Sequence, residues 1–462
     1  MSQSTQRRLS EKIKSLRESD ALPFHEILDA DMVQAAVEAE GVPFKDRLYT
    51  PFVTLCLFLS QVLDPDHSCR AAVLRLILWL ALDGRKPCSA DTASYCAARL
   101  RLALGLIVRL VRQTATRVDA GASDDWLWKG RKVVLVDGTT VSMPDTPENQ
   151  KAFPQANTQK TGLGFPLARL VALISLATGV VRDLALGPYQ GKQTGETALL
   201  RTLLEGLQAG EIVLGDRYFA SYFLLAELLR RDVDGLFRMH QKRQFDFRHG
   251  HRWGVDDHVV TWTKPARPDW MDKQNYAPMP DQLTVRELRF QVEQPGFRVQ
   301  ELVLVTTLCD AVQDTQEELA DLFLQRGNVE LDLRAIKDVL QMEVLRCQTP
   351  EMVEKEIWMH LLAYNLIRGV MAQAAHAHQT RPRLLSFKGT LQTITAFQEA
   401  MRCAAPEDRP FLLEAMLRAI AQHPVGDRFG RVEPRANKRR PKAQRYLMEP
   451  RSQARKRLLE AA

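Results

Sequence analysis

Apolar residues recur at two different spacings along the chain, and the change of spacing divides it into a helical part and a mixed part. Up to about residue 125 they recur every three to four positions, which predicts amphipathic helices. The segments with this spacing are TPFVTLCLFLSQVL, RAAVLRLILWLAL and ASYCAARLRLALGLIVRLV. Turn-forming residues separate these segments. We therefore predict an N-terminal helical domain over residues 1–125.

Short apolar runs replace the helical spacing after Arg131, and their length is typical of buried strands. These runs are KVVLV, LARLVALISLAT, VVRDLALG, EIVLGD, GLFRMH and ELVLVTTL. Thr178-Gly179 joins the second run to the third as a hairpin turn, and helical patterns begin at Glu196 and Tyr222. This order of strands and helices predicts an α/β layer architecture.

The composition shifts between residues 241 and 296, where His, Arg, Asp, Trp and Pro are frequent. The pieces HVVTWTK and TVRELRFQVE alternate apolar and polar residues, so we predict a β-rich insertion over 241–296. The α/β core then comprises residues 126–240 and 297–375. A C-terminal helical region with a basic tail follows over 376–462.

Composition excludes several classes of protein. The 462 residues suffice for about three domains, and 45% hydrophobic residues is an ordinary value for a globular protein. No apolar stretch reaches the roughly 18 residues of a membrane span, and the polar N-terminus has no apolar signal core. Seven scattered cysteines without a C-x-x-C pair favour neither a disulfide framework nor a zinc site. We expect a soluble, intracellular protein without a membrane partner.

The positive charge is concentrated in the C-terminal tail. The chain carries +7, but twelve Lys or Arg and three Glu give the segment 428–462 a charge of +9, which leaves −2 for the rest. The densest part contains Arg435, Lys438, Arg439 and Arg440. Such a run suits a polyanion, most simply nucleic acid. A solvated, disordered tail is the alternative, and the two interpretations are compatible.

Two of the apolar runs end in an aspartate. Asp137 follows Val133–Val136, and Asp216 follows Ile212–Gly215. If the two runs are neighbouring parallel strands, both carboxylates lie at the carboxyl edge of the sheet, where open α/β sheets bind their ligands. For either residue alone, a turn or cap role is the alternative.

A third acid, Glu330, lies in the predicted helix FLQRGNVELDLRAIK. At about 100° per residue, Arg326, Glu330 and Lys337 fall on one stripe of that helix. The apolar face beside the stripe consists of Val329, Leu333, Ile336 and Leu340. The alternative role of Glu330 is salt bridging along the helix, together with a favourable first-turn position in the helix dipole.

Three converging carboxylates suit phosphodiester chemistry. Cleavage requires an activated water or 3′-hydroxyl and a stabilised leaving oxygen, and two Mg²⁺ about 3.5–4 Å apart provide both. Mg²⁺ prefers oxygen ligands and takes few of them from protein. Asp137, Asp216 and Glu330 are therefore the candidate catalytic and metal-binding residues, with Mg²⁺ as the expected cofactor and Mn²⁺ as a substitute.

These segments resemble the DDE transposases of bacterial insertion sequences, in the insertion sequence four family marked by the spacing Y-x2-R-x3-E-x6-K. Arg326, Glu330 and Lys337 fit that spacing, and Phe323 occupies the Tyr position. Asp137 in VLVDGTTVSMPDTPEN and Asp216 in VLGDRYFASY are similar to the two aspartates of the family. Three further segments also look like the family's, namely GFPLARLVALISLATG, GKQTGETALL and LLAYNLIRG. Gly327-Asn328 stands where the family often has Trp.

The resemblance implies a ribonuclease-H-like core with the β-rich insertion between the second Asp and the Glu. It also implies Mg²⁺-dependent nicking at transposon ends, followed by strand transfer by the freed 3′-hydroxyl. The expected partners are double-stranded DNA, as terminal inverted repeats and target, and a second copy of the chain in a synaptic complex. The N-terminal domain is expected to bind DNA, and the expected location is the bacterial cytoplasm, associated with the nucleoid.

Several further residues are candidates for contact with DNA. The resemblance implies that Arg326 and Lys337 hold phosphates, whereas Phe323 lacks the hydroxyl of the family's Tyr. The resemblance implies that an aromatic residue of the insertion, which offers Trp253, Trp262 and Trp270, can stack on a flipped base, although core packing is favoured for any single one of them. Arg217 either reaches a phosphate or is an ordinary surface residue. The histidines of the insertion fit no metal-ligand spacing, so we expect them on the surface or near DNA.

Two alternatives to an active transposase remain at this point. One is a non-catalytic relic that still binds DNA through its N-terminal domain and tail. The other is a metal nuclease of the same fold that hydrolyses DNA without joining strands. The products formed from labelled DNA with Mg²⁺ distinguish the three functions.

Overall fold

The computed structural model describes residues 24, 27–41, 48–291, 301–425 and 447–460, and its chain divides into two compact units. The helical unit comprises the described residues of 1–127, 177–183 and 332–425. The sheet unit comprises the described residues of 128–176, 184–331 and 426–462. Within the described part of the chain, no helix is long and apolar enough to cross a membrane.

The helices of both units follow the sequence signals for helix starts. Thr50 and Pro51 begin the second helix, and Thr349 and Pro350 begin the longest one, as an N-cap and a first-turn proline. In chain order the described helices are α1 (Ala30–Glu40), α2 (Pro51–Leu63), α3 (Cys69–Leu82), α4 (Ala93–Arg101), α5 (Leu104–Ala120), α6 (Pro147–Ala152), α7 (Glu196–Arg201), α8 (Tyr222–Leu229), α9 (Lys273–Tyr276), α10 (Gln316–Leu324), α11 (Gly327–Arg334), α12 (Pro350–Ala377), α13 (Phe387–Cys403), α14 (Arg409–Ala421) and α15 (Arg451–Glu460). The three helical patterns of the N-terminal part are confirmed, since they form α2 to α5.

The central helix of the helical unit, α12, carries the segment LLAYNLIRG, whose polar residues are buried in hydrogen bonds. Asn365 accepts the backbone N–H of Val181 and donates to the carbonyl of the same residue, each at 2.8 Å. Arg368 and Tyr364 both donate to the fully buried Asp332, and the Tyr364 hydroxyl is 3.0 Å away. Arg383 adds a second guanidinium to the same carboxylate at 2.6 Å. The polar residues of this segment therefore maintain the helical core.

A single nine-stranded mixed sheet forms the centre of the sheet unit, with the order β3-β2-β1-β4-β5-β9-β8-β7-β6. Its strands are β1 (Val133–Ser142), β2 (Leu167–Ser175), β3 (Val181–Pro188), β4 (Ile212–Gly215), β5 (Asp234–Arg238), β6 (His251–Arg252), β7 (Asp257–Thr263), β8 (Gln282–Gln291) and β9 (Glu301–Thr306). The strands β1, β4 and β5 run parallel, and the other described pairings are antiparallel. The protein is thus a mixed α/β protein with a large central sheet.

The six apolar runs of the sequence all form strands of this sheet, which confirms those predictions. The predicted hairpin turn is also present, and Gly179 adopts a φ of 82°, which a residue without a side chain tolerates best. The two alternating pieces of the insertion form β7 and β8, as predicted. The strands β6, β7 and β8 continue the central sheet, because β8 pairs with β9 from Arg286↔Thr306 to Gln291↔Glu301.

Two local predictions were wrong. Asp137 does not end β1, because the antiparallel partner β2 continues to pair with β1 as far as Ser142↔Leu167. The single helix predicted around Glu330 is broken after α10, and α11 begins only at Gly327. Glycine is a poor helix former, which accounts for a boundary at this position. Beyond α11, residues Ala335–Val339 form a π-helical turn, so the regular stripe of 100° steps does not hold.

Candidate active site

The parallel pairing of β1 with β4, on which the sequence argument depended, is confirmed, with Val133↔Ile212 and Leu135↔Leu214 in register. Asp137 follows two residues after this paired stretch, and Asp216 follows immediately after β4. Parallel strands present their carboxyl ends at one edge, so the two aspartates belong to the same edge of the sheet. This edge is the candidate active site.

Asp137 is a largely buried carboxylate within β1, and its side chain is only 15% exposed. Burial raises its pKa above the ordinary value for an aspartate, and nearby charges act on it as well. The Arg326 guanidinium and the backbone N–H of Gly138, 2.8 Å away, lower the pKa, whereas the negative charges of Asp216 and Glu330 raise it. The three acids are therefore close enough to interact electrostatically.

Asp216 lies in the tight turn that leads from β4 to α8. Its Oδ1 accepts the backbone N–H of Tyr218 at 2.7 Å, and the buried ring of Phe219 anchors the same turn in the core. The side-chain bond is the local interaction expected of an aspartate in a turn. The structural role predicted as the alternative for Asp216 therefore coexists with its position at the carboxylate edge.

Arg326 joins two of the acids. It lies between α10 and α11, its Nη2 is 2.9 Å from Asp137 Oδ2, and its Nη1 is 2.9 Å from Glu330 Oε1. Its Nε is buried and has no hydrogen-bond partner in the described part of the chain. The exposed Glu330 extends from the first turn of α11, with 65% of its side chain accessible. Arg326 thus forms a bridge that holds Asp137 and Glu330 on either side of one guanidinium.

The other two residues of the spaced motif lie in different surroundings. Phe323 is a core residue of α10 and is only 7% exposed, so its ring is not presented to DNA in this structure. The ring is part of the apolar packing of the helix, and a DNA contact at Phe323 stays a prediction. Lys337 lies in the π-helical turn of the helical unit, and its Nζ is 3.6 Å from Glu343 Oε1.

Two residues near the carboxylates escaped the sequence analysis. Glu196 is the first residue of α7, and burial, Asp137 and Asp216 raise the pKa of its carboxyl, against the lowering effect of Arg169. Arg238 ends β5, and burial and Arg217 lower the pKa of its guanidinium. The negative charge of Asp216 raises the pKa of Arg238, whereas the positive charge of Arg326 lowers it further.

A signal for each of them was available in the sequence. Arg238 lies within the apolar run GLFRMH and ends β5, the strand next to β4, so the rule that selected Asp216 from the end of a strand also applies to it. Glu196 lies within GKQTGETALL, a segment noted only for its resemblance. Its closeness to Asp137 depends on the tertiary fold.

The insertion presents the candidate Trp253 to solvent and buries Trp262. Trp253 is 45% exposed, and its ring packs edge-on against His251. Trp262 is 5% exposed, donates its indole N–H to Glu287 at 2.8 Å, and is covered by the guanidinium of Arg243. Trp262 thus has the core-packing role that was favoured for any single Trp of the insertion.

Two other polar candidates of the same region are also placed. His258 is buried, so it is not the surface residue expected. Its ring bonds to Glu287 at 3.1 Å and to the carbonyl of His249 at 2.7 Å. Arg217 is held by Gln241, whose Oε1 is 3.0 Å from its Nη1. The tail residues Arg435, Lys438, Arg439 and Arg440 lie outside the described residues.

The carboxylate oxygens at this edge are the kind of donor that a hard divalent cation prefers. The side chains are, however, not gathered around one point. Carboxylate oxygens are the ligands that Mg²⁺ prefers, and the mutual repulsion of the acids favours a cation among them. Among the described residues, however, no three His, Cys, Asp or Glu side chains are arranged to hold a metal ion. The Arg326 guanidinium supplies positive charge between Asp137 and Glu330 instead.

Comparison with known proteins gives consistent matches. A family model described as a transposase DDE domain matches residues 128–366, a range that contains Asp137, Asp216 and Glu330. The transposase InsG for insertion sequence element IS4 of Escherichia coli strain K12 is 27% identical over 421 residues, which are 90% of this chain and 91% of that protein. The putative transposase InsZ of the same organism is 34% identical over 213 residues, which are 40% of this chain and 66% of that protein.

Among solved structures, the chain is similar to a cryo-EM structure of the piggyBac transposase synaptic complex with hairpin DNA. The match has a TM-score of 0.43 and 9% sequence identity, and it covers 86% of this chain and 84% of that chain.

Replacement of Arg326 tests whether its guanidinium stands in for a cation between the carboxylates. For Arg326→Ala without DNA, we expect the affinity for Mn²⁺ to rise on the order of tenfold, because a positive charge that competes for Asp137 and Glu330 is removed. Electron paramagnetic resonance of Mn²⁺ measures this affinity directly. Arg334→Ala is the matched control, since Arg334 lies in α11 and pairs with exposed Asp338 at 3.2 Å. Weaker binding by Arg326→Ala would show instead that Arg326 orients the carboxylates for the ion.

Proposed function

The chain belongs to the DDE transposases of the insertion sequence four family, and on this premise we propose that it nicks the ends of a DNA element and joins them to new DNA through Asp137, Asp216 and Glu330. The observation that carries the proposal is the placement of Asp137 and Asp216 at the carboxyl ends of the paired strands β1 and β4, with Arg326 bonded to both Asp137 and Glu330. All three lie within the segment that matches the family.

In this proposal Asp137, Asp216 and Glu330 hold Mg²⁺, for which Mn²⁺ substitutes. When bound, such ions activate the attacking hydroxyl or water and stabilise the leaving oxygen of the phosphodiester. The chain's own contribution is a partly buried set of carboxylates, in which burial strengthens the attraction for a cation. Asp137 supplies a largely buried carboxylate, and Glu330 supplies an accessible one.

Arg326 is proposed to exchange its carboxylate partners for a DNA phosphate when the cation and the DNA arrive. A guanidinium suits this exchange, because its planar fork binds a carboxylate or a phosphate in the same bidentate manner. Arg217 and Asp216 both lie close enough to Arg238 to affect its pKa. The two guanidinium groups therefore add positive potential beside Asp216 for the scissile phosphate.

The core is proposed to be ribonuclease-H-like. The parallel strands β1 and β4 carry the first two acids, and Glu330 follows on a helix after the insertion. Strands β6, β7 and β8 of the insertion lie between Asp216 and Glu330 in the sequence, as the family resemblance implies. This order of elements supports the assignment.

Double-stranded DNA is the proposed partner, both as the terminal inverted repeats and as the target. Trp253 is an exposed aromatic residue of the insertion, and its accessible ring suits stacking on a base. The basic tail provides charge for the backbone phosphates. Because two ends must be joined to one target, two copies of the chain are proposed to act together.

Alanine substitution of the acids tests the catalytic assignment. We expect Asp137→Ala, Asp216→Ala and Glu330→Ala each to lower nicking and strand transfer at least about 100-fold in Mg²⁺, since even indirect partners of a metal ion often contribute 10- to 100-fold. Binding to labelled end DNA is expected to remain. Glu317→Ala is the matched control for Glu330, because both are exposed acids in the first turn of a helix.

The products of the unaltered protein distinguish the proposal from its alternatives. A transposase gives joined products in which both ends enter the target, a nuclease cuts without joining, and a relic makes no cut. Normal activity in any one of the three acid variants would contradict the assignment of that residue.

The salt dependence of DNA binding tests the role of the tail. We expect replacement of Arg435, Lys438, Arg439 and Arg440 by Gln to reduce the slope of log affinity against log salt by up to about 0.9 for each lost phosphate contact. A variant with Lys at the three Arg positions retains the charge and should keep the slope. In the same titration Trp253→Ala should lower the affinity without changing the slope, because stacking involves no counterion release. An unchanged slope in the Gln variant would exclude phosphate contacts by these residues.

A further inference from the structure

Two cysteine thiols of the helical unit lie against each other, although they are far apart in the sequence. The Sγ atoms of Cys69 and Cys96 are 3.7 Å apart, and 27 positions along the chain separate the two residues. Cys69 is the first residue of α3, and Cys96 lies in α4. Both residues are partly exposed. The fold therefore brings together a pair of thiols that no local cysteine motif announces.

The spacing of the two sulfurs suits the formation of a disulfide. A disulfide has a sulfur–sulfur distance of about 2.05 Å, so the two atoms must approach each other by roughly 1.7 Å. Rotation of a cysteine side chain between its preferred conformations moves the sulfur by a distance of this order. Because both residues are partly exposed, a small oxidant can reach the sulfurs.

Polar side chains surround the pair. The Nε2 of Gln61 is 3.8 Å from Cys69 Sγ and donates to the His67 carbonyl at 2.8 Å. Its Oε1 accepts the Tyr95 hydroxyl at 2.8 Å and the Arg99 guanidinium at 3.3 Å. Burial raises the pKa of the Cys69 thiol, whereas the charge of Arg99 and the amide of Gln61 lower it. These two neighbours therefore stabilise the thiolate, which is the form of a cysteine that reacts with oxidants.

Simple packing is the alternative role for these cysteines, because a free cysteine often behaves as a small apolar residue. Cys347 of the same unit is buried, and burial raises the pKa of its thiol. Cys69 and Cys96 differ from it, since each is partly exposed and contacts a second thiol. Packing explains a small residue at each position, and it does not explain two thiols in contact where solvent reaches them.

We propose that Cys69 and Cys96 are a site of reversible oxidation, at which hydrogen peroxide converts the two thiols to a disulfide. One thiol attacks the peroxide, whose O–O bond breaks to release water, and its sulfur becomes a sulfenic acid. The second thiol then attacks this sulfur, the S–O bond breaks, and a second water leaves. In total the two thiols lose two electrons and two protons, and one peroxide becomes two waters. This site is separate from the proposed catalytic function and does not depend on it.

The disulfide joins the start of α3 to α4 within the helical unit. A crosslink that closes a loop of this length restricts the unfolded chain and so stabilises the folded one. A dithiol reductant reverses the bond by thiol–disulfide exchange. In a reducing compartment such bonds form only transiently, when oxidant is present. The stability of the helical unit is therefore expected to depend on the redox conditions.

Thiol titration and peptide mass spectrometry of the peroxide-treated full chain test this inference. Cys403→Ser is the background throughout, because Cys403 is exposed and would react with peroxide on its own, and it leaves six of the seven cysteines. We expect the count of thiols in the denatured protein to fall by two, with Cys69 linked to Cys96, and dithiothreitol to restore it. Cys96→Ser should abolish the link. Cys88→Ser is the matched control, since Cys88 is also partly exposed and its loss should leave the link intact.

The products decide between oxidation at this pair and simple packing. An unchanged thiol count would overturn the inference. Loss of thiols without a link between Cys69 and Cys96 would also overturn it, whether the sulfurs become sulfinic acids or pair with Cys88 or Cys347. These outcomes are read in the background protein itself, so they hold even if Cys96→Ser does not fold.

Thermal unfolding measures the consequence of the bond. We expect peroxide treatment to raise the melting temperature of the background protein by roughly 3–6 °C, because the crosslink restricts the unfolded chain. Dithiothreitol should remove the rise, and Cys96→Ser should show none. A linked pair with an unchanged or lower melting temperature would contradict the stabilising effect of the disulfide.

Discussion

Burial of the Asp137 carboxylate beside other acids at one edge of the sheet is the constraint on which the candidate site depends. The parallel pairing of β1 and β4 brings Asp137 and Asp216 to that edge, and burial makes the negative charge of Asp137 more costly. Arg326 offsets part of this cost through its bonds to Asp137 and Glu330. The compensation is incomplete, because the pKa of Asp137 remains raised despite the adjacent guanidinium. A site with an excess of negative charge and hard oxygen donors is well suited to a divalent cation.

Two other buried charges among the described residues are arranged differently, and the contrast helps to identify the site. Asp332 is fully buried but accepts hydrogen bonds from Tyr364, Arg368 and Arg383. Arg286 is likewise fully buried, and it is paired with Asp257 through two of its donors. Charges that are fully satisfied by neighbours stabilise a unique fold. The acids at the edge of the sheet lack such complete pairing, which is expected where a ligand is to supply the missing interactions.

Much of the sheet and the position of the acids could be predicted from the sequence, because both depend on local patterns. Short apolar runs indicated the strands, and the acids after two of them indicated the edge where Asp137 and Asp216 lie. The spacing of Arg326 and Glu330 also anticipated their contact, since residues four apart on a helix are neighbours even where the helix is short. Features that depend on tertiary packing were not accessible in this way. Glu196 reaches Gly138 only through the fold, and the burial of Trp262 depends on Glu287 of a neighbouring strand.

Iron-directed cleavage of the polypeptide tests most directly whether the three acids hold a divalent cation. Fe²⁺ in place of Mg²⁺, with ascorbate and peroxide, generates hydroxyl radicals that cut the backbone close to the bound ion. We predict cuts near Asp137, Asp216 and Glu330, with protection by excess Mg²⁺ and loss of the cuts in Asp137→Asn. Cuts confined to other segments, such as the histidines of the insertion, would contradict a cation at this edge of the sheet.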